Sequence, residues 1–313
     1  MTNPPHDFVA MLAGVGLPPE VKAVGLTRHN LQDALLVILR EQGVRAFGAE
    51  MHDLLGAVAG LPLVMREVSG DLRATGHLPV AQSQALTPEQ EVLEPVVLGA
   101  QVQNGSADER LRGYGVGTLG AFARDEGGSA VLLSNNHVIA AENDAEVGDL
   151  IFQAQRGRGR AVAKLSAWVP ITLDAPNRVD IAGAVLDADA AFRNSFLPLR
   201  NRPDPAGVVA PRVGSRVFKV GRTSGLTFGS VTAIAARVPS VGYGVGNAPF
   251  ENSFIIEGQG GSTFSAPGDS GSGIYDMRGR LLGFLYAGDG TITLACPAGE
   301  ALAALSLTLI RDV

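Results

Sequence analysis

From Val96 onward the chain alternates short apolar runs with glycine-punctuated turns. The runs that read as strands are Gly117 to Ala123, Ala130 to Leu133, Leu150 to Gln153, Ile181 to Leu186, Arg216 to Val220, Gly229 to Ala236, Ser253 to Glu257, Gly273 to Tyr275, Leu281 to Tyr286 and Thr291 to Leu294. Many short strands with turns between them predict a mainly β fold, a barrel or a sandwich. A closing helix is expected over Pro297 to Leu305, with proline at a tolerated early position. Residues 1–75 have another texture. Phe8, Val9, Met11 and Leu12 suggest a short helix, Val21 to Leu26, Ala34 to Leu39 and Leu63 to Val68 read as strands, and Arg45 to Ala59 as an amphipathic helix with His52 on its polar side. This is a small α+β module. Residues 76–95 carry Pro79, Pro88 and Pro95 among polar residues, a linker composition.

Composition narrows the classes. A chain of 313 residues with 46% hydrophobic residues can bury one large core or two modest ones. A net charge of −6 argues against nucleic acid or an anionic membrane as the main partner. No run approaches the ~18 apolar residues that span a bilayer, and the start of the chain lacks a charged segment followed by an apolar one. The single cysteine, Cys296, permits no intrachain disulfide. That suits a reducing compartment, and a cytoplasmic protein is expected. Cys296 follows apolar Leu294-Ala295 and reads as a small buried side chain, not a catalytic thiol. No metal or cofactor is expected.

The chemistry starts from Gly268-Asp269-Ser270-Gly271-Ser272-Gly273. A serine hydroxyl becomes a nucleophile when a base removes its proton. It also needs a tight turn that aims backbone N–H groups at the developing oxyanion, and glycine permits such a turn. Of the five histidines, His6, His29, His52 and His77 lie in polar, turn-like or linker surroundings. His137 ends the apolar run Ala130-Val131-Leu132-Leu133-Ser134, within Ser134-Asn135-Asn136-His137-Val138, where a side chain is positioned and available as base. The orienting acid is expected at Asp180, at the mouth of the apolar segment Ile181 to Leu186, with Asp174 and Asp187 as more polar alternatives.

The order His137, Asp180, Ser270 and the motifs around these residues resemble the trypsin/chymotrypsin-like serine peptidases. The order differs from the subtilisin and α/β-hydrolase arrangements. Ser134-Asn135-Asn136-His137-Val138, Val179-Asp180-Ile181-Ala182, Val220-Gly221-Arg222-Thr223-Ser224-Gly225 and Gly268-Asp269-Ser270-Gly271 are most similar to the cytoplasmic bacterial and plant members, including the plant narrow-leaf type. The resemblance covers residues 96–313. It implies a double β-barrel with the site in the cleft between barrels, His137 and Asp180 from the first and Ser270 from the second. It also implies an oxyanion hole from the N–H groups of Gly268 and Ser270. The implied activity is endopeptidase hydrolysis of proteins or peptides through an acyl-enzyme. The position that selects Lys or Arg when it is aspartate would be Phe264, and Leu285, Tyr286, Ala287 and Gly288 would form the wall along which substrate backbone pairs.

The chain departs from secreted members. Cysteines flanking the histidine and serine are replaced by Val138 and Ala266, and no activation site is recognisable that would make a new N-terminus to pair with Asp269. Either the serine loop is ordered in the unprocessed chain, or another group orders it. Two other activities compete with the endopeptidase: an esterase-type acyl hydrolase, and a catalytically silent barrel serving as an interaction scaffold. Residues 1–75 are compatible with a pro-segment, a homo-oligomerisation unit or a substrate adaptor. Gly113-Tyr114-Gly115-Val116-Gly117 and Gly242-Tyr243-Gly244-Val245-Gly246 read as turns, since neither opens a helix that could hold a phosphate. Arg156, Arg158 and Arg160 read as a solvated loop.

Overall fold

The computed structural model describes residues 8, 12, 15–41, 43, 48, 51, 55, 60–74, 86–107, 115–154, 159–197 and 203–311. The expectations for His6, His52, His77, Gly113, Tyr114, Arg156 and Arg158 lie outside these residues. So do most of the helix expected over Arg45 to Ala59 and most of the proposed linker.

The fold is mainly β, a trypsin-like double barrel. The first barrel is an eight-stranded sheet in the order Thr308–Leu309, Ala121–Arg124, Ala130–Ser134, Ala182–Leu186, Arg160–Trp168, Leu150–Gln153, Gln101–Asn104 and Gly117–Thr118. Ala123, Val131, Leu133, Ala182 and Ala184 are buried, with no more than 1% exposure. The expected strand Gly117 to Ala123 is split: Gly120 donates to Leu133 O and Leu119 to Ala100 O, which turns the chain between the two pieces. Strand Arg160–Trp168 went unseen because its first residues are arginine, alanine and glycine-flanked.

In the second barrel, strands Arg216–Gly221, Gly273–Asp276, Arg280–Gly288, Ile292–Pro297, Gly246–Gly258 and Gly225–Tyr243 follow one another, and Arg216–Gly221 pairs back onto Gly225–Tyr243 to close the ring. Its interior holds Val217, Val231, Phe254, Ile256, Phe264, Ile274, Leu282, Leu285 and Ala295. Pro297 ends the last strand and precedes the helix Ala298–Ala304.

Strand Gly225–Tyr243 is 19 residues long and changes neighbours along one edge. Its first part pairs with Arg216–Gly221, and further along it pairs with Val21–His29. Strands Val21–His29, Gln32–Arg40 and Leu63–Val68 therefore continue the second barrel's sheet. Alternation explains why they are apolar on both faces: Ala23, Leu36 and Ile38 join the main core, while Val24, Leu35, Val37 and Leu39 pack with Phe8, Leu12 and Leu55. In the long hairpin the register shifts between Val231 and Val241, and Ala235 and Asn252 have φ of 50° and 57°. Such bulges bend and twist a ribbon, and the distal half of this one reaches the first barrel.

Candidate active site

His137 sits in a one-turn helix, Asn136–Ile139, that directly follows strand Ala130–Ser134. Three asparagine side chains fix this corner. Asn135 Nδ2 donates to Asp180 O at 2.6 Å, Asn136 Nδ2 to Val169 O at 2.7 Å, and Asn143 Nδ2 to Ile171 O at 2.9 Å. The polar residues on either side of His137 thus tie the loops of His137 and Asp180 together.

Of the three aspartates considered, the one that meets the imidazole is Asp180. Its Oδ2 is 2.5 Å from His137 Nδ1, and its Oδ1 accepts the His137 backbone N–H at 3.3 Å. Both side chains are fully buried. A buried carboxylate is tolerable only when hydrogen-bonded, and a third donor completes the set: Tyr243 Oη donates to Asp180 Oδ2 at 2.9 Å. Burial, and then the charge of Asp180, push the Tyr243 phenol well above its ordinary value, so it stays protonated and donating. Its ring lies edge-on to the imidazole at 5.7 Å, and stacks on Phe250, which stacks on Tyr286. His137 Nε2 is buried and accepts no hydrogen bond in this structure.

Tyr243 stands at the tip of the long hairpin, inside a glycine-rich pentad that reads as a turn and conceals it. The tip is indeed a turn, since Tyr243 pairs with Gly246. It is clasped to the loop after His137 by Glu142, whose two carboxylate oxygens accept the N–H groups of Gly244 and Val245 at 2.9 Å each. The return strand is fastened too. Asn177 N donates to Pro249 O and Glu251 N to Asn177 O, and Arg178 pairs with Glu251 and Glu300. The second barrel's hairpin therefore braces the loop that carries Asp180.

Ser270 is brought to the same seam. Thr118 N donates to Ser270 O at 2.8 Å, and Thr118 Oγ1 to Gly268 O at 3.1 Å. Gly117 is pinched between Val138, which follows the histidine, and Ser270: a Cβ there would stand 2.5 Å from Val138 Cγ2 and 2.7 Å from Ser270 O. Gly268 has φ of 99° and Gly271 of 89°, angles that favour glycine, and Gly271 N and Leu285 N bond the loop to strand Arg280–Gly288.

Lys219 is the group that pairs with Asp269. Lys219 Nζ lies 3.1 Å from Asp269 Oδ2, both side chains at 0% exposure, and also donates to Ser224 Oγ and Gly225 O. All three ammonium protons thus have acceptors. Asp269 further accepts the N–H groups of Thr223, Ser224 and Ala266 and the Ser224 hydroxyl. Gly221 has no room for a side chain because Asp269 Oδ1 fills the space. The stretch Val220 to Gly225 is thereby explained: it wraps the carboxylate beside the serine. Desolvation pushes the Lys219 ammonium down, opposed by Asp269. Sequence reasoning missed Lys219, although in a strand of period two it shares a face with Val217, a core residue.

The residues expected to contact substrate are placed as follows. Phe264 is buried in the second barrel's core, its ring 5.8 Å below Lys219 Nζ. Tyr286 is fully buried and shares a hydrogen bond with Ser253. Gly288 lies at the end of strand Arg280–Gly288, against the short strand Arg73–Ala74. Cys296 is buried, and burial pushes its thiol up to about 12. Among the described residues, no group of His, Cys, Asp and Glu is placed to hold a metal ion.

A family model described as Trypsin matches residues 127–300, a range that includes His137, Asp180 and Ser270. Solved structures with similar folds include Thermobifida fusca Protease A (15% identity, 69% of this chain and 99% of that one, TM-score 0.50). They also include Cellulomonas bogoriensis chymotrypsin (19%, 69% and 99%, 0.49) and the Nocardiopsis protease NAPase (16%, 68% and 98%, 0.49). At such identities the likeness is one of fold. No curated protein matches the chain.

Proposed function

This chain belongs to the trypsin family, and from that premise we propose that it is a serine endopeptidase with Ser270 as nucleophile, His137 as general base and Asp180 as the acid that orients the base. The observation that carries this reading is the 2.5 Å contact between His137 Nδ1 and Asp180 Oδ2. If Nδ1–H donates to the carboxylate, Nε2 carries the lone pair, which is the tautomer that can accept a proton from serine. Nε2 is buried without a hydrogen-bond partner.

Ser270 Oγ attacks the peptide carbonyl while Nε2 takes its proton. The tetrahedral oxyanion is held by the N–H groups of Gly268 and Ser270. His137 then returns the proton to the leaving amine, and water releases the acyl-enzyme by the same route. The Lys219–Asp269 pair supports the reading, because it holds the serine loop in shape without a new N-terminus. Ser270→Ala is expected to lower kcat by about 10⁴ to 10⁶ and to abolish labelling by a fluorophosphonate. Turnover unchanged in that variant would overturn the assignment.

The substrate is a protein or peptide. Phe264 offers no carboxylate to a cationic side chain, so cleavage is expected after small or medium apolar residues. A peptide library read by mass spectrometry tests this, and dominant cleavage after Lys or Arg would refute it.

A further inference from the structure

Strand Arg280–Gly288 changes partners along one side. At Phe284 and Gly283 its neighbour is strand Gly273–Asp276. At Leu285 it is the serine loop, through the bonds of Gly271 N to Leu285 O and Leu285 N to Ser272 O. At Ala287 and Gly288 it is strand Arg73–Ala74, antiparallel, with Ala74 opposite Ala287 and Arg73 opposite Gly288. The opposite side of these two residues is taken by Leu294 and Thr293. Arg73–Ala74 thus occupies the one remaining edge, in line with Ser270. Being antiparallel, it runs from Gly288 towards Leu285 and the serine loop.

This placement is held on every side. Gly242 N donates to Leu72 O at 2.9 Å, and Gly242 pairs with Arg73, so the short strand also bridges to the hairpin that carries Tyr243. Leu72 is buried. Gly70 packs on the turn beyond Gly288, where a Cβ would stand 2.8 Å from Asp289 O. Asp71 lies 3.7 to 4.0 Å from the cationic groups of Arg40, Arg73 and Lys22. The segment also leaves directly from strand Leu63–Val68, which is part of the barrel's own sheet.

We propose that Leu72-Arg73-Ala74 is a built-in occupant of the edge on which an extended peptide substrate pairs, so that the folded chain excludes peptide until this segment is displaced. The proposal rests on the endopeptidase reading in one respect: it takes Ala287–Gly288 as the substrate edge. An extended peptide binds such an edge by adding a strand, through main-chain hydrogen bonds. One edge accepts one strand, so the two compete. The internal segment competes at an effective concentration of roughly millimolar, set by its short tether. The apparent affinity for external peptide is then reduced by the fraction of molecules with the edge free. Backbone, not side-chain identity, carries most of the contact. Strand-breaking substitutions in the segment are therefore the way to expose the edge.

The test uses the full chain with Ser270→Ala, so that no cleavage intervenes, and fluorescence anisotropy of a fluorescein-labelled peptide of sequence Ser-Gly-Asp-Leu-Arg-Ala, the copy of residues 69–74. Arg73→Pro with Ala74→Pro removes both N–H donors. Arg73→Gly with Ala74→Gly weakens the strand without removing them, and keeps the test valid if the proline variant does not fold. Thermal unfolding verifies each. The peptide is expected to bind the glycine variant several-fold, and the proline variant tenfold or more, tighter than the parent. Equal affinity for parent and variants, or no binding to any of them, would overturn the proposal. In the Ser270-containing chain, the same substitutions should raise kcat/KM for a peptide by the same factor. If hydrolysis is absent throughout while the binding difference stands, it is the endopeptidase reading that fails and not the occupancy.

Discussion

Lys219 takes a full positive charge to a place where none of its side chain is exposed, and what makes this tolerable is the carboxylate of Asp269 3.1 Å away. Desolvating an ion pair offsets much of its attraction, but removing one member leaves a bare buried charge, at a cost of about 3–5 kcal/mol. Lys219→Met is therefore expected to lower stability by about that amount and, because Asp269 precedes the serine, to lower kcat as well. Urea unfolding and peptide hydrolysis measured side by side will show it. Adding Asp269→Asn should restore part of the stability, since the unpaired charge is gone. If Lys219→Met unfolds at the same urea concentration as the parent, the pair does not hold the loop. The sequence carried a faint sign of this lysine. Val217 and Lys219 share one face of a strand whose Val217 is in the core, yet a lone lysine in an edge-like run ordinarily points to water.

The long hairpin, Gly225–Tyr243 with Gly246–Gly258, acts at the scale of an element: it leaves the second barrel and delivers a hydroxyl to the first. Tyr243→Phe keeps the ring packing with Phe250 and removes one donor from the Asp180 carboxylate, which retains two contacts from His137. A hydrogen bond to a charged group is worth roughly 1.5–3 kcal/mol. The variant should thus lose about tenfold or more in kcat, where ~1.4 kcal/mol is tenfold, with KM little changed. A fall in KM-governed terms alone, with kcat intact, would make Tyr243 a packing residue and not a positioning one. His137 and Ser270 were legible as candidates because each lies in an unusual polar motif beside an apolar run: Ser134 to His137 after Ala130 to Leu133, and Gly268 to Gly273 before Ile274-Tyr275. Tyr243 was not, because five residues rich in glycine read as a turn, and a turn's side chains are expected in water. Arg73–Ala74 was illegible for a simpler reason, as two residues have no periodicity. The N-terminal strands were legible as strands, but their pairing with Gly225–Tyr243 depends on a second half of that strand that falls in a register broken by bulges.

At the scale of the whole molecule, the two barrels meet through backbone at close range. Thr118 bonds to Ser270 O and Gly268 O and receives the Arg222 N–H, while Tyr275 Oη donates to Gly120 O at 2.7 Å. Gly117 and Gly120 in the first barrel and Gly271 and Gly273 in the second let these segments touch: a Cβ on Gly120 would run into the Gly271 carbonyl oxygen and stand 2.9 Å from Gly273 N. Neither neighbour is a flexible side-chain end, so relief requires one barrel to move against the other. Forcing extra volume into a packed interior costs typically ~1–3 kcal/mol and at times more. Gly120→Ala is expected at or above the upper end of that range, with activity falling further than stability because the displaced atoms belong to the serine loop. Gly299→Ala is the matched control. It lies in helix Ala298–Ala304 with open space around its Cβ position, where alanine should add up to ~1 kcal/mol of stability. Denaturant midpoints and kcat for the two variants decide the point. Gly120→Ala with parental kcat would mean that the barrels can separate at this seam without disturbing Ser270, and that the site is held together by the long hairpin instead.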